Sequence, residues 1–191
     1  MKEKIISVDN DRSIVVIDDA YNYAQISGFY KFAIEAPYQI YNTNDAECQT
    51  QQDRRLGCRL EIQSLLLGSI FNPEVTDIVS KHVPMDKFKG ERAYINLGIH
   101  GDNHKTHVDQ FGHGYGKTVL VYLNKKWDND WGGETIFYDD KCEDILYMSP
   151  LVPGRILIFD GSIPHSAKAQ DFHAPPYRFT LAVKFHLHGL I

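Results

Sequence analysis

The sequence predicts an α+β fold whose main body is a β-sandwich or jelly roll. Two observations carry that expectation. Apolar residues recur at helical spacing only in the first part of the chain, up to about Gly90. Beyond it come short runs rich in β-branched and aromatic residues, bounded by Gly, Pro, Asn or Asp. Helices first and many strands afterwards give an α+β chain, with strands packed on one another and helices set against one sheet.

From the amino terminus, Ile14-Val15-Val16-Ile17 is a β-branched run ended by Asp18-Asp19 and reads as a strand. Asp19 is placed to cap a helix over about residues 20–35, where Tyr23, Ile26, Phe29, Tyr30 and Ile34 recur at helical spacing. Residues 37–57 are polar, with Pro37 and Gly57 at the edges. They read as a long loop of the kind that often serves as a lid or binding loop. Arg54, Arg55 and Arg59 at its far end form either solvated charge or a substrate-facing rim. A helix is expected over Leu60 to Ile70. A second follows, with Asn72 as N-cap and Pro73 at the first helical position. Val75, Ile78, Val79 and Val83 mark its buried stripe, and Pro84 ends it.

The strand runs are Arg92 to Ile99, Thr118 to Leu123, Glu134 to Tyr138, Arg155 to Phe159 and Tyr177 to Leu187. The last alternates along its length. Phe179, Leu181, Val183 and Phe185 fall on one side; Arg178, Thr180, Ala182 and Lys184 fall on the other. An arginine and a threonine sharing a face with a small alanine suit a polar pocket as well as an outward polar face.

At 191 residues the chain is long enough to bury a sizeable core. It is expected to be one domain over 1–191, with helical support over about 1–90 and the jelly-roll core over about 90–187. Hydrophobic content of 43% and charged content of 24% are globular values and exclude a disordered chain. A net charge of −5 argues against a general nucleic-acid binder. Cys48, Cys58 and Cys142 are odd in number and form no C-x-x-C pair, which argues against a disulfide framework. The charged start and the lack of a long apolar run predict no signal peptide, no membrane span and a cytoplasmic location.

The chemistry centres on Thr106-His107-Val108-Asp109 and, far downstream, Ile163-Pro164-His165-Ser166. Two imidazoles and one carboxylate on a common face leave coordination positions open, the arrangement of non-haem Fe(II) oxygenases. Residues i and i+2 of a strand project to the same side, so an H-x-D pair can grip one ion. With nine His and 17 Asp, roughly one H-x-D is expected by chance. The chain holds a second, His100-Gly101-Asp102, but Gly101-Asp102-Asn103 is a cluster of turn formers that should make its two side chains diverge. Three protein ligands on octahedral iron leave room for a bidentate 2-oxo acid and dioxygen. The far carboxylate of 2-oxoglutarate needs a cationic anchor. Arg178 offers a planar fork for it, with the Thr180 hydroxyl on the same strand face.

These pieces fall in an order that resembles the Fe(II)/2-oxoglutarate-dependent dioxygenases, and most of all their prolyl 4-hydroxylase branch. The matching blocks are His107-Val108-Asp109, Val121-Tyr122-Leu123-Asn124 with Trp127, and Trp131-Gly132-Gly133-Glu134-Thr135. Pro153-Gly154-Arg155, Pro164-His165-Ser166 and Tyr177-Arg178-Phe179-Thr180 complete the set, over about residues 90–187. The resemblance implies a double-stranded β-helix (jelly-roll) core with N-terminal helices packed on one sheet. It implies that His107, Asp109 and His165 bind iron and that Arg178 and Thr180 hold 2-oxoglutarate. Tyr122 would offer its hydroxyl to the same carboxylate, with Thr118 on its strand face. Asn96, or Tyr94 projecting the same way, would be a further co-substrate contact. The implied cofactors are Fe(II), 2-oxoglutarate and O2, with ascorbate as a reductant. Two features depart from the branch. Leu97 and Gly98 stand where a tyrosine often precedes the H-x-D, and Asp171 to Pro176 lengthens the interval from His165 to Arg178.

The reaction implied is oxidative decarboxylation of 2-oxoglutarate to succinate and CO2, coupled to hydroxylation of an unactivated C–H bond. Related halogenases lack the carboxylate ligand, so Asp109 implies a hydroxylase. The substrate is expected to be a prolyl residue of a peptide or protein. A free amino acid or other small metabolite is the alternative, and a metal-binding jelly roll without turnover is the alternative of another class. The loops at 38–57, 110–116 and 139–149 are expected to shape the pocket.

Overall fold

The structure is a computed structural model and describes residues 1–42, 54–61, 64–102, 104–109 and 114–189. In chain order its elements are β1 (Lys2–Ser7), β2 (Ser13–Asp18), α1 (Tyr23–Glu35), β3 (Gln39–Asn42), β4 (Arg54–Leu60), α2 (Leu65–Ile70) and α3 (Pro73–His82). There follow β5 (Phe88–Ile99), β6 (Gly116–Tyr122), β7 (Thr135–Tyr138), β8 (Ile145–Ser149), β9 (Ile156–Asp160), β10 (His165–Ala167) and β11 (Tyr177–Leu187). Eight strands form one antiparallel sheet in the order β1-β2-β9-β6-β11-β5-β4-β3, and β10-β7-β8 form a second. This is the jelly-roll architecture expected, with helices on one sheet. Among the described residues no helix is long and apolar enough to cross a membrane.

Strand alternation divides the core in two. Val15 and Ile17, Val119 and Val121, Ile156 and Ile158 and the Phe179, Leu181, Val183, Phe185 side of β11 face the helices. There they pack against Phe29, Ala33, Leu67, Ile70, Val75 and Val79. The intervening residues Ile14, Val16, Leu120, Tyr122, Leu157 and Phe159 point the other way, onto Phe137, Leu151 and Ile163 beneath the small sheet. Continuous apolar runs in β2, β6 and β9 are what a strand buried on both faces requires. Each such side chain removed from water contributes roughly 1.5–3 kcal/mol. The polar side of β11 faces the small sheet, and there the site is built.

Several boundaries differ from the sequence reading, each for a local reason. Helix α1 is capped by Asn22, not Asp19. Asn22 accepts from the Gln25 N–H at 2.9 Å while Gln25 reaches back to the Asn22 N–H, a reciprocal capping box. Asp19 instead adopts φ 58° and ion-pairs with Lys2. The buried residues of α1 are Phe29 and Ala33, so Tyr23 and Ile34 turn to solvent. The 37–57 stretch is not all loop. Its ends form the β3–β4 hairpin, because Leu56 to Leu60 find a partner in β5 that a polar local sequence does not reveal. The remainder of that stretch, 43–53, lies outside the described residues, as do 110–113 of the Gly-rich turn. Leu60 closes β4, and the helix begins only at Leu65, capped by Ser64. The α3 reading stands: Asn72 accepts from the Val75 N–H at 3.1 Å, with Pro73 in the first turn. The 139–149 loop contains β8, paired with β7.

One buried side chain fixes how β11 enters the site. Asn124, 1% exposed, donates Nδ2–H to Tyr177 O at 2.8 Å and accepts the Phe179 N–H on Oδ1 at 2.7 Å. The two bonds bracket Arg178. Asn124→Leu should leave both backbone groups unpaired and destabilise the fold by about 2–4 kcal/mol. The measurement is the urea midpoint; a change within about 0.5 kcal/mol would show that water satisfies them.

Candidate metal centre

The ligand atoms of His107, Asp109 and His165 all lie within 4.8 Å of one another. His165 opens β10 in the small sheet. His107 is brought to it by an isolated antiparallel bridge, with reciprocal backbone bonds of 3.0 and 2.9 Å between the two histidines. Asp109 is held by its N–H to Gly161 O at 2.8 Å. The H-x-D segment is therefore not a regular strand, as its spacing suggests. It is stitched onto the turn between β9 and β10, and the stitching turns both side chains to the same point.

Each imidazole is oriented through its other nitrogen. His107 Nδ1 lies 3.1 Å from Lys105 O and His165 Nδ1 lies 2.9 Å from Ile163 O. A proton on Nδ1 satisfies those carbonyls and leaves each Nε2 lone pair for a metal, the usual way a ligating histidine is fixed. The Nε2 atoms face Asp109, at 3.8 Å for His107 and 3.6 Å for His165. The competing pair does diverge: His100 Nδ1 lies against Gln170 O, whereas Asp102 accepts the Ile99 N–H. Burial opposes ionisation of Asp109. Lys184, His165 and Thr118 more than offset it and hold the carboxyl well below the usual carboxylate range.

Beside this cluster lies a buried cation. Arg178 is 4% exposed; Nε donates to Gly133 O at 2.7 Å and Nη2 to Thr135 Oγ1 at 3.1 Å. Its guanidinium stands 5.6 Å over the Tyr122 ring. Among the described residues no carboxylate comes within ion-pair distance of it. Burial lowers its pKa, opposed by Tyr122 and Glu134. A buried charge without an opposite partner is costly, so the site is built for an anion. Gly133 (φ 79°) permits the close approach: a Cβ there would meet Trp127 Cζ2 at 3.1 Å and Arg178 Cδ at 3.4 Å. The donor set and this uncompensated guanidinium both suit the groups the sequence implied, a divalent iron and a dicarboxylic 2-oxo acid.

One cavity joins the two parts. Tyr94, Asn96, Arg178 and Thr180 line it together with His107, Asp109 and His165. Thr118 and Tyr122 sit elsewhere. Thr118 donates its hydroxyl to Asp109 Oδ2 at 2.7 Å. Tyr122 is fully buried; its hydroxyl donates to Thr135 Oγ1 at 2.8 Å, the same oxygen that Arg178 Nη2 reaches, and it interacts with Arg178 there. Several polar lining residues escaped the sequence reading, among them Thr135, Lys168, Gln170 and Lys184. For Lys184 the signal existed, since it shares the Arg178 face of β11 by simple alternation. Trp127 and Trp131 pack edge to face at 5.7 Å, and Trp127 Nε1 donates to Gly132 O, which places both in packing.

Residues 93–186 match the model of the 2OG-Fe(II) oxygenase superfamily. No curated protein matches the chain. Among solved structures, a prolyl hydroxylase of Trichoplax adhaerens in complex with a hypoxia inducible factor peptide fragment superposes with a TM-score of 0.65 at 15% identity, over 91% of this chain and 83% of that one. HygX from Streptomyces hygroscopicus, with nickel and 2-oxoglutarate bound, gives 0.68 at 10% identity over 94% and 85%. The α-ketoglutarate-dependent carbocyclase SnoK from nogalamycin biosynthesis gives 0.67 at 13% over 92% and 80%. Such low identities speak to fold. The family model, by contrast, spans the segments that carry all three candidate ligands and Arg178. The chain accordingly belongs to the 2OG-Fe(II) oxygenase superfamily, with Fe(II), 2-oxoglutarate and O2 as its cofactors and co-substrates.

Proposed function

We propose that this oxygenase hydroxylates an unactivated C–H bond of a prolyl residue in a peptide or protein. The observation that carries the reading of the site is Arg178, a buried guanidinium on the cavity wall with no carboxylate partner among the described residues. A metal-binding module without turnover has no use for such a group. His107, Asp109 and His165 hold the metal. Arg178 and Thr180 hold the far carboxylate of 2-oxoglutarate, and Asn96 and Tyr94 line the same wall. Bound together, iron and 2-oxoglutarate supply the decarboxylation to succinate and CO2 and the oxygen atom that enters the substrate. This chain orients them, and Leu120 and Ala182, paired between the Thr180 and Lys184 levels of β11, add an apolar stretch to the cavity wall.

Support for a prolyl substrate is the prolyl 4-hydroxylase-like order of the sequence blocks, together with a peptide-binding fold relative. A second reading, a free amino acid or similar small metabolite, draws on Asp102 and Lys168, which line the same cavity and offer opposite charges to a zwitterion. One experiment addresses both levels. Anaerobic addition of Fe(II) and 2-oxoglutarate should produce the weak visible charge-transfer band of a chelated 2-oxo acid. No band, with iron shown to be bound, would exclude the oxygenase chemistry proposed. Mass spectrometry for +16 products across proline-rich peptides and free amino acids then separates the two substrates.

A further inference from the structure

We propose that Lys184, with Thr118, is a positioning residue that occupies one oxygen of Asp109 and so presents only the other to the metal. The inference rests on the reading of His107, Asp109 and His165 as the metal ligands. Lys184 is 5% exposed and projects from the polar side of β11 into the cavity. Its ammonium pairs with Asp109 Oδ2, and Thr118 Oγ1 donates to that same oxygen at 2.7 Å. Lys184 Nζ also lies 3.2 Å from Thr118 Oγ1 and 5.8 Å from the Tyr94 ring centroid. Strand pairing makes the arrangement: Thr118 of β6 and Lys184 of β11 are register partners, so both side chains stand on one face at one level.

Distance to the histidines does not choose between the oxygens of Asp109. Oδ1 lies 3.8 Å from His107 Nε2 and Oδ2 lies 3.6 Å from His165 Nε2. Hydrogen bonding does choose. Two donors converge on Oδ2, whereas Oδ1 faces His107 Nε2 at 3.8 Å and accepts no hydrogen bond from any described residue. The choice has a chemical consequence. Octahedral iron with three protein ligands and a bidentate 2-oxo acid keeps one position for dioxygen. A carboxylate that chelated through both oxygens would fill it. An ammonium and a hydroxyl clamped on Oδ2 hold the carboxylate to one bond, and among the described residues that carboxylate is the ion-pair partner of the buried lysine.

The test uses the full chain without oxygen. Co(II), whose visible absorption reports coordination number, is titrated into wild type, Lys184→Met, Lys184→Arg and Thr118→Val, each checked for folding by its thermal melt. Lys184→Met and Thr118→Val should each weaken Co(II) binding by about 10–100-fold, as removal of an outer partner of a ligand does. Lys184→Met should also shift the absorption band, and Lys184→Arg should restore most of both. Unchanged or tighter binding by folded Lys184→Met with an unaltered spectrum overturns the clamp, because Lys184 is then only a charge that competes with the ion. If Lys184→Met does not fold, Thr118→Val decides alone: weaker binding supports the clamp and unchanged binding overturns it. A wild type that binds no Co(II) overturns the ligand assignment itself and the clamp with it.

Discussion

His165→Ala should abolish Fe(II)-dependent succinate formation from 2-oxoglutarate, and His107→Ala should do the same. Each change removes one of three protein ligands and leaves an imidazole and a carboxylate to hold the metal, with no fourth His, Cys or acid in that 4.8 Å cluster among the described residues. Losing an outer partner of a ligand typically costs about 10–100-fold, and loss of the ligand itself should exceed that. His165 needs a control that His107 does not. Its ring packs at 4.8 Å from the Phe159 centroid and 6.0 Å from that of Phe137, so truncation also opens space in the core. His107 is 30% exposed at its side chain and its ring packs on His165, at 4.5 Å, outside the apolar core. Bound iron by absorption, succinate by chromatography and the melting temperature are measured together for both variants. Loss of iron and succinate in a folded His107→Ala identifies the ligand; full activity in either variant rejects the assignment.

The order of elements was legible because burial leaves marks on sequence. Ile14 to Ile17 and Ile156 to Phe159 are apolar throughout because β2 and β9 are covered on both faces. The alternation of β11 announced both a core face and a cavity face. Strands without an apolar face of their own left no such mark. β1 reads Lys-Glu-Lys-Ile-Ile-Ser along an exposed edge; β8, by contrast, carries an apolar run, Ile-Leu-Tyr-Met, although the strand is mostly exposed. β10 has three residues and exists through its pairing with β7. Convergence of the metal cluster was legible from motif order, yet its mechanism was not. His107 and Asp109 reach their places through backbone bonds to His165 and Gly161, which no periodicity encodes. The co-substrate contacts were harder still. Tyr122 and Asn124 share a short stretch, but burial pulls the Tyr122 hydroxyl to Thr135, and only the register of β6 against β11 sets Thr118 beside Lys184 instead of in the cavity.

Arg178→Lys should raise the half-saturating concentration of 2-oxoglutarate by about 10–100-fold while leaving metal affinity unchanged. Lysine keeps the charge but not the fork. It cannot reproduce the pair of bonds from Nε to Gly133 O and from Nη2 to Thr135 Oγ1 that aim the guanidinium, and charge-assisted bonds of this kind are worth about 1.5–3 kcal/mol each. Arg178→Met takes the argument further, because it separates binding from stability. The arginine is buried and has no carboxylate partner among the described residues, so its replacement by an apolar side chain of similar length should cost the free protein little or stabilise it. Its effect on ligand linkage should be opposite. Wild type held in 2-oxoglutarate at a hundred times its dissociation constant gains about 2.7 kcal/mol, visible as a rise in melting temperature with metal present. Arg178→Met should show no such rise at the same concentration. A wild-type-sized shift in Arg178→Met, or an unchanged half-saturation in Arg178→Lys, would mean that another group anchors the co-substrate. The buried guanidinium would then be a structural brace between Gly133 and the Tyr122 ring.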